Sequence, residues 1–225
     1  MNYSGIFLSL QAYNVPIMMW LGPAITFPDP ETATEDGVLA LGGDLSLERL
    51  LHAYATGIFP WYSVGEPIVW YCPPERMVLF PAELRISKSM QQFLRKTTFT
   101  ITENTCFQAV VSTCKTIQRK DEDGTWITDA MEVAYNKLHQ NGHAMSVEVW
   151  QDNELVGGLY GVKTGAVFCG ESMFSKVSNA SKMAFIHLVQ QHPFTLIDCQ
   201  VYNPHLESLG AREIDRAQFL QSLTS

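Results

Sequence analysis

Apolar and polar residues alternate most regularly in the C-terminal half of the chain. Between His143 and Trp150, Met and Val occupy every second position, which predicts a β-strand with one buried face. Two more strand-like runs, Leu155 to Val162 and Ala166 to Cys169, follow turn residues at Asp152-Asn153 and Thr164-Gly165. The pattern predicts an antiparallel meander of three strands.

Several other segments have apolar residues at helical spacing, most of them behind a Ser, Thr or Asn that can cap a helix. Helices are predicted for Ser46 to Gly57, Ser87 to Lys96, Cys106 to Gln118, Thr128 to Gly142, Asn179 to Gln191 and Arg216 to Leu223. Further strands are predicted for Ile68 to Tyr71, Met77 to Phe80 and Thr195 to Gln200. A meander followed by a helix, a strand and a helix predicts the α+β class.

The order of these elements matches the acyltransferase fold of the acetyl-CoA-dependent N-acetyltransferases, by analogy at the level of fold alone. Those enzymes hold the coenzyme pyrophosphate on a glycine-containing turn before the helix that follows the meander. The corresponding turn here reads SKVSNASK and contains no glycine. The sequence therefore predicts this scaffold without its coenzyme A site, and an acetyl-CoA-dependent N-acetyltransferase is the alternative enzyme.

Charge is distributed unevenly along the chain. The 225 residues carry a formal net charge of −8, yet eight basic and only two acidic residues lie between Arg76 and Lys120. This window has a net charge of +6 and the rest of the chain −14. The asymmetry predicts a local phosphate-binding face, and a merely solvated basic surface is the alternative.

The cysteines and the N-terminal segment indicate in which cellular compartment the protein is expected. The five cysteines form an odd set without CxxC spacing, which argues against a disulfide framework and a zinc site and indicates a reducing compartment. The apolar start through Trp20 has no basic residue and is interrupted early by polar residues and Pro16, so it predicts neither a signal peptide nor a membrane span. We expect a peripheral segment, the alternative being a natural start at Met18 or Met19.

Four blocks of residues carry a family resemblance that covers the chain from about Phe27 to its C-terminus. They are DGVLALGGDLS (Asp36 to Ser46) with GIFPW (Gly57 to Trp61), GTWI (Gly124 to Ile127), FCGESMFS (Phe168 to Ser175) and LIDCQ (Leu196 to Gln200). Together they resemble the leucyl/phenylalanyl-tRNA-protein transferases. The resemblance implies a small N-terminal α/β domain at residues 1–75, an acyltransferase-like (GNAT-type) domain at 76–225, no metal, no coenzyme, and a cytoplasmic role in N-end-rule protein degradation.

The resemblance also implies residues that hold the aminoacylated adenosine of the tRNA. Unpaired bases stack on aromatic side chains at about 1–3 kcal/mol each, and Trp61 and Trp126 lie in turn-like sequence beside Gly or Pro. Tyr54 and Tyr135 fall at matching aromatic positions nearby. Anchors of a hydrophobic core are the alternative reading of the tryptophans.

Leu159, Phe168 and Met173 match the family positions that line the pocket for the side chain of the transferred amino acid. Such a pocket separates similar apolar side chains only weakly, because a missing methylene is worth about 1–3 kcal/mol. Family members often have Met where Leu159 stands, so the balance among Leu, Phe and Met stays open. Without the resemblance, these three residues predict ordinary core.

The resemblance also implies that polar residues of the last two blocks take part in the transfer reaction. Glu171, at the end of an apolar strand, suits the α-ammonium group of the aminoacyl ester, and Ser175 is expected to orient the same group. Asp198 and Gln200, two apart in a strand, are expected to share a face. In this family Gln200 contacts the attacking amine, Asp198 orients it and draws away its proton, and Asn203 is a weaker candidate. Ordinary polar residues at strand ends are the alternative.

Arg95 and Lys96 match a basic pair that faces phosphates of the tRNA acceptor stem. Acceptor proteins are expected to begin with Arg or Lys, as in the family. His139 and His143 predict no metal site, because Asn141 and the glycine after it end the helix between them. A tRNA-binding protein without catalytic activity is the alternative outside the enzymes, since stacking tryptophans and a basic window suffice for it.

Overall fold

The structure is a computed structural model that describes residues 19–117 and 126–223. The predictions for the segment before Met19, and for Gly124 and Thr125 of the GTWI block, lie outside the described residues. Within these two ranges the chain forms two β-sheets and seven α-helices, so the predicted α+β class is confirmed. No helix in these ranges is long and apolar enough to cross a bilayer.

The smaller sheet is built from N-terminal residues and has the strand order β1-β2-β4-β3. Its first pair is parallel, and the other two pairs are antiparallel. The strands are β1 (Met19–Leu21), β2 (Val38–Gly42), β3 (Phe59–Pro60) and β4 (Val69–Tyr71). Only β4 was predicted. The others escape prediction because they are very short or, in β2, lie in a glycine-rich block without alternation.

The larger sheet has seven strands in the order β11-β5-β10-β9-β8-β7-β6. The predicted meander is confirmed, because β7, β8 and β9 pair antiparallel in sequence order. The two turn pairs between them adopt positive φ at Asp152, Asn153 and Gly165, as hairpin turns require. The strands are β5 (Glu75–Leu79), β6 (Thr100–Glu103), β7 (Ala144–Gln151), β8 (Glu154–Thr164), β9 (Val167–Ser175), β10 (Leu196–Gln200) and β11 (Arg212–Asp215).

Six helices were predicted and all six are present, with their ends shifted by a few residues at most. Side-chain oxygens of Ser46, Ser87 and Thr128 each accept a backbone N–H of the first turn, which is the capping that the sequence predicted. The helices are α1 (Leu47–Ala55), α2 (Lys88–Lys96), α3 (Phe107–Thr116), α4 (Asp129–Gln140), α5 (Ala180–Gln191), the unpredicted α6 (Pro204–Glu207) and α7 (Arg216–Leu223).

Two apolar clusters hold the layers together. One cluster joins the smaller sheet to the larger one, since it contains Leu50 and Trp70 together with Val110 and Tyr160. The other lies between the larger sheet and helices α2 and α5, with Met90 and Ile186 among its members. Within the first cluster, α1 packs against α4 and against β8 of the larger sheet.

Strands β9 and β10 run parallel, and their pairing ends at Cys169 and Asp198. Beyond that point each strand contains a β-bulge. On β9 the register with β8 shifts around Glu171, and on β10 the register with β5 shifts around Cys199. Bulges redirect side chains and are frequent beside functional sites. Here they flank the place where the two strands separate.

Candidate active site

A cavity of about 600 Å³ lies where β9 and β10 separate. Most of the residues that the sequence singled out contribute to its lining, although they come from five different segments of the chain. These residues are Trp61, Trp126, Leu159, Phe168, Glu171, Met173, Asp198, Gln200 and Asn203. The family blocks, which are far apart in sequence, are thus brought to one cavity.

The Glu171 carboxyl group is held by contacts with three other side chains of the site. The Tyr54 hydroxyl contacts its Oε1 at 2.7 Å, the Tyr135 hydroxyl contacts its Oε2 at 2.6 Å, and the Gln200 Nε2 donates to Oε1 at 2.9 Å. The two tyrosine oxygens are themselves 2.7 Å apart. Helices α1 and α4 therefore fix a carboxyl group of β9 between them, with only 8% of Glu171 exposed.

Burial strongly affects the proton affinity of this cluster. It raises the pKa of the Glu171 carboxyl to about 7, against the lowering effect of the hydrogen bonds from Tyr135 and Tyr54. The negative charge of Asp198 adds to the increase. Burial and the nearby Glu171 also hold the pKa values of both tyrosines well above their usual range. The carboxyl group is therefore able to change its protonation state near neutral pH.

Asp198 lies at the end of the parallel pairing and is fully buried. Its two carboxylate oxygens accept hydrogen bonds from Nε and Nη2 of Arg76 at 2.8 and 2.7 Å. Oδ1 also accepts the backbone N–H of Gln200 at 2.9 Å. The sequence counted Arg76 in the basic window that predicts a phosphate-binding face, but only 1% of this residue is exposed, so it cannot contribute to such a face. A basic residue directly before the apolar run Met77 to Leu79 was the signal for a buried arginine.

The expectation that the Asp198 and Gln200 side chains share one face of a regular strand is wrong. The bulge at Cys199 interrupts the alternation of the strand, and Gln200 adopts a left-handed φ of 65°. Asp198 consequently contacts the backbone of Gln200, while the Gln200 side chain reaches Glu171. The three polar residues still form one connected network.

Apolar side chains form the wall of the cavity next to this network. Leu159 and Met173 are opposite one another in the β8–β9 pairing, and Phe168 is buried nearby on β9. All three predicted pocket residues therefore line the same space. Sequence reasoning missed further apolar lining residues, because their spacing is that of any core helix or strand: Phe185, Ile197 and Leu206.

The two predicted stacking residues differ in their exposure, and Trp126 packs against the first apolar cluster. Trp61 is 42% exposed, and Trp126 is partly buried. The Trp61 ring lies 6.0 Å from that of Tyr71, centroid to centroid, so one partner holds it while much of its surface stays open. Tyr202, also 52% exposed, lines the cavity as well.

Three residues that were predicted to bind the aminoacyl-adenosine do not line the cavity. Tyr54 and Tyr135 are each 1% exposed and bind Glu171, so their contact is with the carboxyl group. The exposed Ser175 donates to the carbonyl of Val177 and accepts the N–H of Ser181 at the start of α5. Its hydroxyl group is thus engaged with the backbone at the start of this helix, and its expected role in orienting the aminoacyl group is not supported.

The basic window is smaller on the surface than it is in the sequence. Arg76 is buried, and Lys115 is ion-paired with Asp129 and Glu132. Arg119 and Lys120 lie outside the described residues. Four exposed basic side chains without a carboxylate partner among the described residues remain, and we call them the basic strip: Arg85, Lys88, Arg95 and Lys96.

Comparisons with known proteins identify the family of the chain. The family model described as leucyl/phenylalanyl-tRNA protein transferase matches residues 78–224, and the model of that family's N-terminal domain matches residues 43–74. The transferase of this name from Flavobacterium johnsoniae is 57% identical over 211 residues, which cover 92% of this chain and 100% of the relative. That from Syntrophus aciditrophicus is also 57% identical, with 88% and 84% covered.

Among solved structures, a conserved protein of unknown function from Bacteroides thetaiotaomicron has a TM-score of 0.44 and 12% identity, over 66% of this chain and 53% of that one. The family assignment depends instead on the family model, which matches more than half of the chain, and on the two relatives. The resemblance carried by the four sequence blocks is thereby confirmed. The chain belongs to the leucyl/phenylalanyl-tRNA protein transferase family.

Proposed function

We propose that this enzyme transfers Leu or Phe from aminoacyl-tRNA to the N-terminal Arg or Lys of acceptor proteins in the cytoplasm, and so marks them for N-end-rule degradation. One observation carries the proposal. The Glu171 carboxyl group and the Gln200 amide, 2.9 Å apart, form the polar end of an apolar cavity that opens beside an exposed tryptophan. An aminoacyl-adenosine has matching parts: a cation, an apolar side chain and a base.

The contacts support one orientation of the aminoacyl ester. Its α-ammonium group binds Glu171, a charge that the buried carboxylate needs as a partner. Its side chain enters the space between Leu159, Phe168 and Met173. The terminal adenine stacks on Trp61, with Trp126 on the same cavity.

The reaction needs no nucleophile from the protein, because the ester is already activated. The lone pair of the acceptor amine forms a bond to the ester carbonyl carbon, and the bond from that carbon to the ribose oxygen breaks. The proton that the amine loses neutralises the departing ribose oxygen, so atoms and charges balance. The Gln200 side chain, held against Glu171, is placed to orient the amine.

The basic strip supports binding of the rest of the tRNA. Arg95 and Lys96 end α2, and the strip is exposed along this helix and the segment before it. Contacts from such side chains go to phosphates, which position the tRNA without reading its sequence.

Against the N-acetyltransferase alternative, the start of α5 is occupied by the chain itself. The Ser181 N–H, which a pyrophosphate would need, is bonded to Ser175 Oγ at 3.2 Å. Asn179 holds the cap position with a φ of 71°. A protein that only binds tRNA would have no need to bury Glu171, Asp198 and Gln200 together, which argues against that alternative.

The proposed acceptor class can be tested with peptides that differ only in their first residue. At the cavity, Tyr202 donates to the exposed carboxylate of Glu207 at 2.8 Å, which suits a cationic side chain. We expect Leu-tRNA to modify peptides that begin with Arg or Lys, as measured by mass spectrometry, and not the same peptide with an acetylated N-terminus. Equal modification of a peptide beginning with Glu contradicts the proposal.

A further inference from the structure

Arg76 does not line the cavity, yet it contacts Phe59 and Asp198, which do. Its guanidinium carbon lies 4.5 Å from the ring centroid of Phe59 and 4.4 Å from that of Phe219. The two aromatic rings and the bidentate ion pair with Asp198 fix the orientation of the guanidinium group, which is almost completely shielded from solvent. A buried arginine at such a place stabilises a particular geometry and has no access to substrate.

Each oxygen of the buried Asp198 carboxylate already accepts at least one hydrogen bond. Oδ1 accepts from Arg76 Nε and from the Gln200 N–H, and Oδ2 accepts from Arg76 Nη2. A proton on this carboxylate would remove the counter-ion of a buried guanidinium, which is costly. The contacts therefore argue against Asp198 as the proton acceptor.

Gln200 depends on this pair for its backbone conformation. A left-handed φ is unfavourable in a residue other than glycine, so surrounding contacts must hold Gln200 in it. The hydrogen bond from its N–H to Asp198 is such a contact, and the bulge at Cys199 is the local distortion that permits it. The same conformation directs the Gln200 amide toward Glu171.

We propose that Arg76 is a positioning residue of the transfer reaction, and that the Arg76–Asp198 pair acts through the backbone of Gln200. This inference rests on the proposed function. It assigns Asp198 to the placement of Gln200 and leaves the ribose oxygen as the group that receives the proton of the amine.

The test compares transfer rates and pH profiles of three variants. Arg76→Lys keeps the positive charge but loses the bidentate contact, and Asp198→Asn keeps the shape but loses the charge. Arg49→Lys is the matched control, because Arg49 is equally buried and contacts Asp44 and the Gly22 carbonyl, none of which lines the cavity. Single-turnover transfer of Leu to an Arg-initiated peptide is measured with saturating Leu-tRNA, together with Leu-tRNA affinity.

We expect Arg76→Lys and Asp198→Asn to lower the transfer rate by about 10- to 100-fold, as a displaced amide would, with unchanged Leu-tRNA affinity. Arg76→Lys should keep the pH dependence of the wild-type rate, and Arg49→Lys should keep both that dependence and the magnitude of the rate. Asp198→Asn should keep every ionisation of the profile, with that of Glu171 moved to lower pH because the charge of Asp198 is gone. If Asp198→Asn removes an ionisation from the profile, Asp198 is a proton acceptor and the inference is wrong. A folded Arg76→Lys variant with wild-type rate also overturns it.

The double variant gives a second readout. Because Arg76 acts through Asp198, the combination of both changes should be no slower than the slower single variant, within about threefold. Multiplied losses contradict a shared route. Failure of the proposed function is distinguishable, since the wild-type protein would then transfer nothing to the peptide.

Discussion

The hydroxyl oxygens of Tyr54 and Tyr135 lie 2.7 Å apart, and each contacts a different oxygen of Glu171. An ionised Glu171 leaves two hydroxyl hydrogens for three oxygen–oxygen contacts. A protonated Glu171 supplies the third hydrogen, so that every contact becomes a hydrogen bond. This arrangement of oxygens therefore favours the neutral acid, in agreement with the pKa of about 7 for the Glu171 carboxyl group.

Binding of aminoacyl-tRNA should depend on pH through this group. The α-ammonium of the substrate needs the ionised carboxylate, so affinity for Leu-tRNA should fall by up to about tenfold per pH unit below about pH 7. Filter binding across this range measures it. Uncharged tRNA lacks the ammonium group and should not show this dependence, nor should Glu171→Gln. A dependence that persists in that variant contradicts the assignment to Glu171.

The same variant should be more stable than the wild type at alkaline pH. Because the pKa of Glu171 in the folded state is above its ordinary value, its contribution to stability is complete below about pH 4.5 and is lost as the pH rises through about 7. Glu171→Gln keeps a donor for the ring of oxygens and never ionises. Denaturant unfolding at about pH 8 should show a gain of about 1–3 kcal/mol, together with loss of transfer. A lower stability at this pH contradicts the account.

Stacking on Trp61 is tested by Trp61→Ala. Affinity for a non-hydrolysable aminoacyl-adenosine should fall by about 1–3 kcal/mol, the worth of one base on one aromatic ring. Trp20→Ala is the control, since Trp20 is 64% exposed but does not line the cavity. Isothermal titration calorimetry measures both variants, and equal losses in the two argue against a specific stacking role.

The basic strip predicts a change in salt dependence. Arg95→Ala combined with Lys96→Ala should weaken tRNA binding and reduce the slope of log affinity against log salt by about two. Lys137→Ala combined with Lys163→Ala removes two positive charges elsewhere on the protein and should leave the slope nearly unchanged. An unaltered slope in the first variant removes the phosphate role of the pair.

Much of the fold could be predicted because its signals are local. Capping by Ser46, Ser87 and Thr128 fixes three helix starts, and the alternation of Met and Val over 143–150 fixes the first strand of the meander. Edge strands such as β11, with the residues REID, bury only one side chain and leave no such pattern. Their pairing is determined by partners far away in the sequence.

The sequence identified most residues of the candidate site, but it did not predict the contacts between them. The family blocks identified Glu171 and Gln200, whereas the Arg76–Asp198 pair joins residues 122 positions apart and has no local signature. The left-handed φ of Gln200 was also beyond the sequence, because it arises from the bulge at Cys199 and from the bond to Asp198. Tyr54 and Tyr135 were identified as aromatic, but their function here comes from their hydroxyl groups.

The most direct test of the central claim is the source of the transferred group. Radiolabelled Leu-tRNA or labelled acetyl-CoA is supplied with the purified enzyme and a protein that begins with Arg, and acid-insoluble label is counted. The account predicts label from Leu-tRNA alone, and its loss in Glu171→Gln. Label from acetyl-CoA alone, or from neither donor, would contradict it.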